Sequence, residues 1–302
     1  SIGLALAARG VDVEMVDRDP KAQKLAQDLI ASKVSGDPEV ILFAIPASAL
    51  AESFERQFEL NPGSKFIDIA SVKTKPQVEV SRINGSAKRF LATHPMAGRE
   101  VGGAASARAD LFEGRTWIYC PTFADGAQVE SDVLEAGLWL INSLGATPVS
   151  MSASHHDSAV ALVSHLPQLV ASLLANRLNL GTIEQLGLSG QGLRDTSRIA
   201  ASDPELWVQI ISQNSAAITP LLSKLQEDLA QLAQSVANID ESGSLAKIHG
   251  LLQGGNSGVA RIPGKHGGKS NNYQVVTVVI EDAPGALASL LTFIGEIGVN
   301  LE

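Results

Sequence analysis

The sequence predicts an α/β domain of parallel strands covered by helices, followed by a mainly helical domain. Two observations carry this. Through the first 150 residues, short apolar runs alternate with helix-like stretches, the pattern of repeated βα units. From Ser154 onward the strands stop, and apolar residues recur at helical spacing through 159–178, 204–218 and 221–239. The length, 302 residues, is also too great for one average domain.

The elements follow in order. Residues 1–9 read as a helix, stopped by Gly10, which can take the left-handed conformation a helix end needs. Residues 11–16 read as a strand, 20–31 as a helix opened by Pro20, and 40–45 as a buried strand. A helix over 49–58, a strand over 65–70 and a helix over 75–82 come next, before the strand that leads to His94. A strand at 116–120, a helix at 129–144 and a strand at 147–151 complete the first domain, 1–150. The helical domain is expected over 151–253. A Gly- and Lys-rich linker is expected over 254–270, and a partial module over 271–302, where 273–280 reads as a strand and 282–287 as a turn opening a helix.

Composition narrows the function classes. Hydrophobic residues make up 45% and charged residues 18%, an ordinary globular balance. A net charge of -9 argues against nucleic acid, which is bound by clustered Lys and Arg. The one cysteine, Cys120, excludes an internal disulfide and fits a reducing cytosol, where it reads as a small buried hydrophobe. The apolar stretch 159–175 is interrupted by Ser164, His165, Pro167 and Gln168, a poor membrane span. With no signal peptide visible, a cytoplasmic location is expected. No cluster has metal-ligand spacing, and His155 and His156 read as cap or surface residues.

The chemistry centres on Thr93-His94-Pro95-Met96-Ala97-Gly98-Arg99-Glu100. A histidine at the carboxyl end of a strand stands where open α/β sheets keep their ligands, and its pKa suits it to take a proton from a hydroxyl. Upstream, the strand ending at Ala70 breaks into a turn whose Ser71 and Lys73 could contact an anion. Downstream come Ser164-His165-Leu166-Pro167, Gly192-Leu193-Arg194-Asp195-Thr196-Ser197-Arg198-Ile199-Ala200 and Asp203-Pro204-Glu205-Leu206-Trp207. The order D-x-x-S-V-K, H-P-M-A-G-x-E, S-H-L-P, G-L-R-D-x-x-R-I-A, D-P-x-x-W resembles the prephenate and arogenate dehydrogenases of tyrosine biosynthesis.

That resemblance implies a Rossmann-like dinucleotide-binding domain, an all-α dimerisation domain and a homodimer. It implies NAD-dependent oxidative decarboxylation of prephenate to 4-hydroxyphenylpyruvate, with arogenate, giving tyrosine directly, as the alternative substrate. His94 would accept the ring hydroxyl's proton with Ser71 assisting, and Arg198 would hold a substrate carboxylate. His165, Arg99, Glu100 and Gln168 would line the substrate site. Gln168 stands where the family often has a second histidine, and Arg99 replaces a commonly uncharged residue, so substrate choice stays open between prephenate and arogenate. The segment from residue 271 resembles the start of an ACT domain, which implies an effector site for tyrosine or another aromatic amino acid.

For the cofactor, G-x-G-x-x-G is absent. Ser1-Ile2-Gly3-Leu4-Ala5 reads as the helix start just after such a loop, which puts the glycines ahead of Ser1 and Ser1 itself near the cofactor. Asp17, after the 11–16 strand, stands where a carboxylate accepts the adenosine ribose hydroxyls and favours NAD. Arg18 beside it keeps NADP open, because an arginine there can pair with the extra phosphate. The bland alternative is that Asp17 and Asp19 only form a turn and cap the next helix. Ala44, Ile45 and Pro46, after the next strand, are expected to meet the nicotinamide half. Other two-domain dehydrogenases, such as the 3-hydroxy acid type, usually carry a catalytic lysine in the second domain, and no lysine occurs from Ser150 to Leu222. A non-catalytic amino-acid sensor would leave His94, Ser71 and Arg198 without a purpose.

Overall fold

A computed structural model describes the chain except residues 31–35, 84–86, 99–102, 264–277, 281 and 299–302. The chain forms two compact units, 1–237 and 238–302.

The first unit opens with α1 (Ile2–Ala7), which ends before Gly10 at φ +78°, and continues to α2 (Pro20–Ile30). Gly3 lets α1 come close to its neighbours, because a Cβ there would lie 3.1 Å from the Met15 sulfur. Residues 11–16, expected as a strand, belong to none. A strand exists by pairing with a neighbour, and among the described residues several of the amides here bond elsewhere. Val11 N–H donates to Leu6 C=O, while Met15 and Asp17 N–H donate to the Gln27 and Gln23 side chains of α2 at 2.8 and 3.3 Å.

Five strands form one sheet in chain order: β1 (Val40–Phe43), β2 (Lys65–Asp68), β3 (Phe90–Pro95), β4 (Thr116–Cys120) and β5 (Thr147–Ser150). Helices α3 (Leu50–Leu60), α4 (Thr74–Ser81) and α5 (Ser131–Ser143) connect the parallel pairs β1–β2, β2–β3 and β4–β5. The expected all-parallel sheet needs one correction, since β4 runs antiparallel to β3. A parallel neighbour requires a crossover element, and the only helical piece among the described residues between β3 and β4 is the short turn Ala104–Ser106. A second correction concerns β1, expected to be buried: Val40 is exposed, Ile41 and Leu42 half-buried, and only Phe43 is buried.

Alternation along the strands builds two faces. Phe66 and Phe90 meet Phe54 of α3 with ring centroids 5.1 and 5.4 Å apart, edge to face. Ile67 and Leu91 point the other way toward Gly137 of α5. Helices therefore cover both faces, and the core lies between them and the sheet.

The helical half begins with α6 (Ala153–Val160), passes through a π-helical turn (Ala161–His165) into α7 (Leu166–Arg177), and ends in a short turn at Leu180. Pro167 explains the π turn: it has no N–H for the Val163 carbonyl and its ring crowds that carbonyl, so the ladder widens just before it. This 153–180 run has the length and hydropathy of a membrane-crossing helix, yet His156, Asp157, His165 and Gln168 are buried within the fold. Next come α8 (Ile183–Leu186), α9 (Gln191–Ser197), α10 (Pro204–Gln213) and α11 (Ser215–Ala237). The break between the last two falls at Asn214 rather than near Pro220. The buried Asn214 amide is drawn into side-chain bonding, and Pro220 is accommodated inside α11.

In the second unit, α12 (Ser244–Val259) is helical through 254–259, residues expected to begin a linker. The expected strand 273–280 falls mostly outside the described residues, and 278–280 form no strand. Gly285 at φ +89° precedes α13 (Ala286–Glu296).

Candidate active site at the carboxyl ends of the strands

His94 occupies the next-to-last position of β3 and keeps a partly exposed ring. Its Nδ1 lies 2.9 Å from Nε2 of His156, and Nδ1 of His156 lies 2.8 Å from Oδ1 of Asp157. His156 is fully buried, which corrects its reading as a cap or surface residue; only His155 is exposed. Asp157 Oδ1 also accepts the Lys73 amide at 2.8 Å, and Oδ2 accepts the Thr74 amide at 2.7 Å. The carboxylate thus sits on the first amides of α4, where the helix dipole favours negative charge. It also ties the helical half to the sheet.

Behind this row lies a buried ion pair. Lys73 Nζ donates to Asp68 Oδ2 and, at 2.6 Å, to the Thr93 carbonyl, with both side chains fully buried. Lys73 is therefore not available to an anion, contrary to the sequence expectation. Asp68 further accepts the Thr93 and Ala70 amides at 3.0 Å each, and Trp117 Nε1 donates to Thr93 Oγ1 at 2.9 Å. These bonds fix the residue before His94 on all sides.

On the helical side, Asn214 Nδ2 donates to the Asp157 carbonyl at 2.9 Å and reaches His165 Nδ1 at 3.2 Å. His165 is buried at the end of the π turn and meets Trp207 edge-on, ring centroids 5.9 Å apart. Gln168, one turn further on, is buried and donates to Ser172 Oγ. Arg198 is exposed on the turn Arg198–Ala201, which packs against α7, the helix that follows His165. Ser71 stands three residues past β2, partly exposed. Arg99 and Glu100 lie outside the described residues.

Electrostatics favour a neutral base. Burial, then repulsion from His156 and Lys73, holds the His94 imidazole well below its ordinary pKa. Burial lowers His165 as well. Burial alone would raise the Asp157 carboxyl, but hydrogen bonds from His156, Thr74 and Lys73 outweigh it and leave Asp157 below the usual value. Burial raises Asp68 despite the attraction of Lys73. Cys120 is buried, and its thiol is pushed up to about 12, which makes it inert.

Asp17 is exposed, and its Oδ1 accepts the Asp19 amide at 2.8 Å, so a turn forms, as the blander reading holds, while the carboxylate still faces outward. Arg18 beside it is exposed too. Ala44 and Pro46 are exposed and Ile45 half-buried immediately past β1. Ser1 stands at the N-cap of α1, where its Oγ accepts the Arg108 amide at 3.1 Å. An outward carboxylate together with open backbone beyond a strand end suits the ribose and nicotinamide ends of a dinucleotide. α10, which carries Trp207, packs on the turn Ala47–Ala49 and so brings the helical half against the end of β1.

His156, Asp157 and Asn214 were not singled out by sequence reasoning. A usable signal existed: Asp157, His165 and Gln168 recur at helical spacing on a run that is otherwise apolar, which marks a polar stripe on a buried face.

The fold is that of a dinucleotide-binding α/β protein with a helical half, and it carries a histidine–aspartate row at the end of β3. Comparison with known proteins refines this. Residues 2–137 match the model for the prephenate dehydrogenase nucleotide-binding domain, and residues 152–250 match that for the prephenate dehydrogenase dimerization domain. A probable prephenate dehydrogenase of Streptomyces niveus is 31% identical over 312 residues, covering 100% of this chain and 85% of that protein. The fold is shared with prephenate dehydrogenase from Aquifex aeolicus in complex with hydroxyphenyl propionate and NAD+ (TM-score 0.70, 23% identity, 85% of this chain and 93% of that one). It is also shared with Synechocystis arogenate dehydrogenase (TM-score 0.69, 24% identity, 86% and 95%). The chain belongs to the prephenate dehydrogenase family.

Proposed function

We propose that this chain is an NAD-dependent prephenate dehydrogenase that converts prephenate to 4-hydroxyphenylpyruvate. The observation that carries the reading is His94, neutral and partly exposed at the end of β3 and backed by His156 and Asp157. NAD, when bound, would accept hydride from the carbinol carbon. His94 Nε2 accepts a hydrogen bond from the ring hydroxyl and draws on its proton as hydride departs. The ring–carboxylate bond breaks to carbon dioxide and its electron pair completes the aromatic ring, so the oxygen ends as a phenol and His94 keeps no net proton. Ser71 assists at the neighbouring strand end, while Arg198 holds a substrate carboxylate through its planar fork. Arg99, Glu100, His165 and Gln168 complete the substrate side. Asp17 takes the ribose, Ala44, Ile45 and Pro46 border the nicotinamide, and Ser1 stands at the helix start facing the dinucleotide, with Arg18 leaving room for NADP.

Arogenate is the second reading. It is favoured by Gln168, whose amide is buried in the site-bearing helix at a position that could distinguish a keto from an amino group. A cytoplasmic homodimer fits the family's dimerization-domain model and the exposed Leu162, Val163, Leu173, Val208 and Leu229 of the helical half. An ACT-like effector segment over 271–302 draws support from Gly285, whose left-handed backbone opens α13.

The test is one crossed assay of reduced-nicotinamide formation, pairing prephenate and arogenate with NAD and NADP. The reading expects the highest kcat/KM for prephenate with NAD. A preference for arogenate would select the second reading, and no turnover of either substrate would end both.

A further inference from the structure

We propose that His156, held by Asp157, fixes the tautomer of His94 so that Nε2 is its proton-accepting atom. This rests on the reading of His94 as the acceptor for a substrate hydroxyl.

The hydrogen bonds run outward from Asp157. Its carboxylate takes the Lys73 and Thr74 amides and His156 Nδ1, and an ionised carboxylate can only accept hydrogen bonds. Nδ1 of His156 must therefore carry a hydrogen. A neutral imidazole has one N–H, so Nε2 of His156 presents a lone pair. Across 2.9 Å, His94 Nδ1 can bond to that lone pair only as a donor. The hydrogen of neutral His94 then lies on Nδ1, and Nε2 is left bare. The opposite arrangement would place two lone pairs face to face, or demand a doubly protonated His156 at a fully buried position. An acidic residue orienting a catalytic histidine through its far nitrogen follows the logic of the Ser-His-Asp triad, with one more imidazole in the row.

The groups around His94 make this arrangement consequential. Lys73, from the turn after β2, and His165, from the π turn, oppose positive charge on the ring, as does His156 of α6 whenever it is itself charged, whereas Asp157 of α6 favours it. His156 connects His94 to that favourable charge through hydrogen bonds. It touches no substrate and acts as a positioning residue.

The test uses the full chain with 15N-labelled histidine. In the unaltered protein, NMR should show His94 as the Nδ1–H tautomer; the Nε2–H form would overturn the proposal outright. In His156→Leu the lone-pair partner is gone, and the Nε2–H form should become populated. With the acceptor lost, kcat should fall on the order of 10²-fold, the lower end of what a positioned acid–base group contributes, with substrate KM and NAD affinity held. His156→Gln, whose amide oxygen can accept from His94 Nδ1, should recover part of the rate. An unchanged tautomer in His156→Leu, or a rate in His156→Gln no higher than in His156→Leu, overturns the proposal. The tautomer measurement needs no substrate, so it stands or falls separately from the assigned reaction.

Discussion

Lys73→Met is the most informative single change to the frame of the site. It removes the positive partner of Asp68 while keeping a side chain of similar length, and both groups are fully buried. Breaking a buried pair from one side leaves an uncompensated charge and costs about 3–5 kcal/mol. For a cooperative unit of this size, Tm shifts by about 2–4 °C per kcal/mol, so a fall of roughly 6–20 °C is expected. The loss should also depend on pH. The Asp68 carboxyl already lies above its ordinary pKa, and without the Lys73 attraction and hydrogen bond it rises further. A carboxyl whose folded pKa exceeds its unfolded one favours folding below the unfolded value, and that advantage is lost as pH rises through the folded one. The deficit of Lys73→Met should therefore be smallest in mild acid and grow toward neutral and alkaline pH. Thermal melts followed by circular dichroism over a pH series would read this, together with the double variant Asp68→Asn/Lys73→Met, which should recover much of the loss because no bare charge remains. A deficit below about 1 kcal/mol, the range of an exposed pair, or one that is flat in pH, would refute the reasoning.

Two further outcomes follow from the geometry. Gly137→Ala places a Cβ 2.2 Å from Leu91 Cδ2 on the α5 face of the sheet, so one of them must shift; a stability loss of about 1–3 kcal/mol is expected by denaturant titration, and a neutral effect would show that Leu91 repacks freely. Arg198→Ala should raise the apparent KM for prephenate with kcat nearly unchanged, since its proposed task is to bind a carboxylate, and an unchanged KM would remove it from the substrate site.

Much of the frame was legible because its signals are local. The alternation Phe66, Ile67 and Phe90, Leu91 declares two buried faces, and Pro95 ends the strand that carries His94. What escaped depends on partners distant in the chain. Residues 11–16 have strand composition, but the Met15 amide, like that of Asp17 just beyond, goes to an α2 side chain. The reversal of β4 turns on the lack of a crossover helix among the described residues before it rather than on its own residues, which would suit either direction. His156 and Lys73 looked like surface groups because each is polar; their burial depends on Asp157 and Asp68, 84 residues from Lys73 in one direction and 5 in the other. Satisfying a buried polar group is a three-dimensional property that no single window displays.

Whether His94 draws the proton as the chain oxidises prephenate is measured by comparing His94→Asn with the unaltered protein in prephenate turnover with NAD. His94→Asn should show unchanged NAD affinity and a kcat lower by about 10²–10⁴-fold, and the unaltered protein an acid limb of kcat/KM below the ordinary imidazole range, because burial and the nearby Lys73 charge disfavour the imidazolium. Turnover by His94→Asn at a rate near that of the unaltered protein, with the same pH profile, would contradict that role of His94.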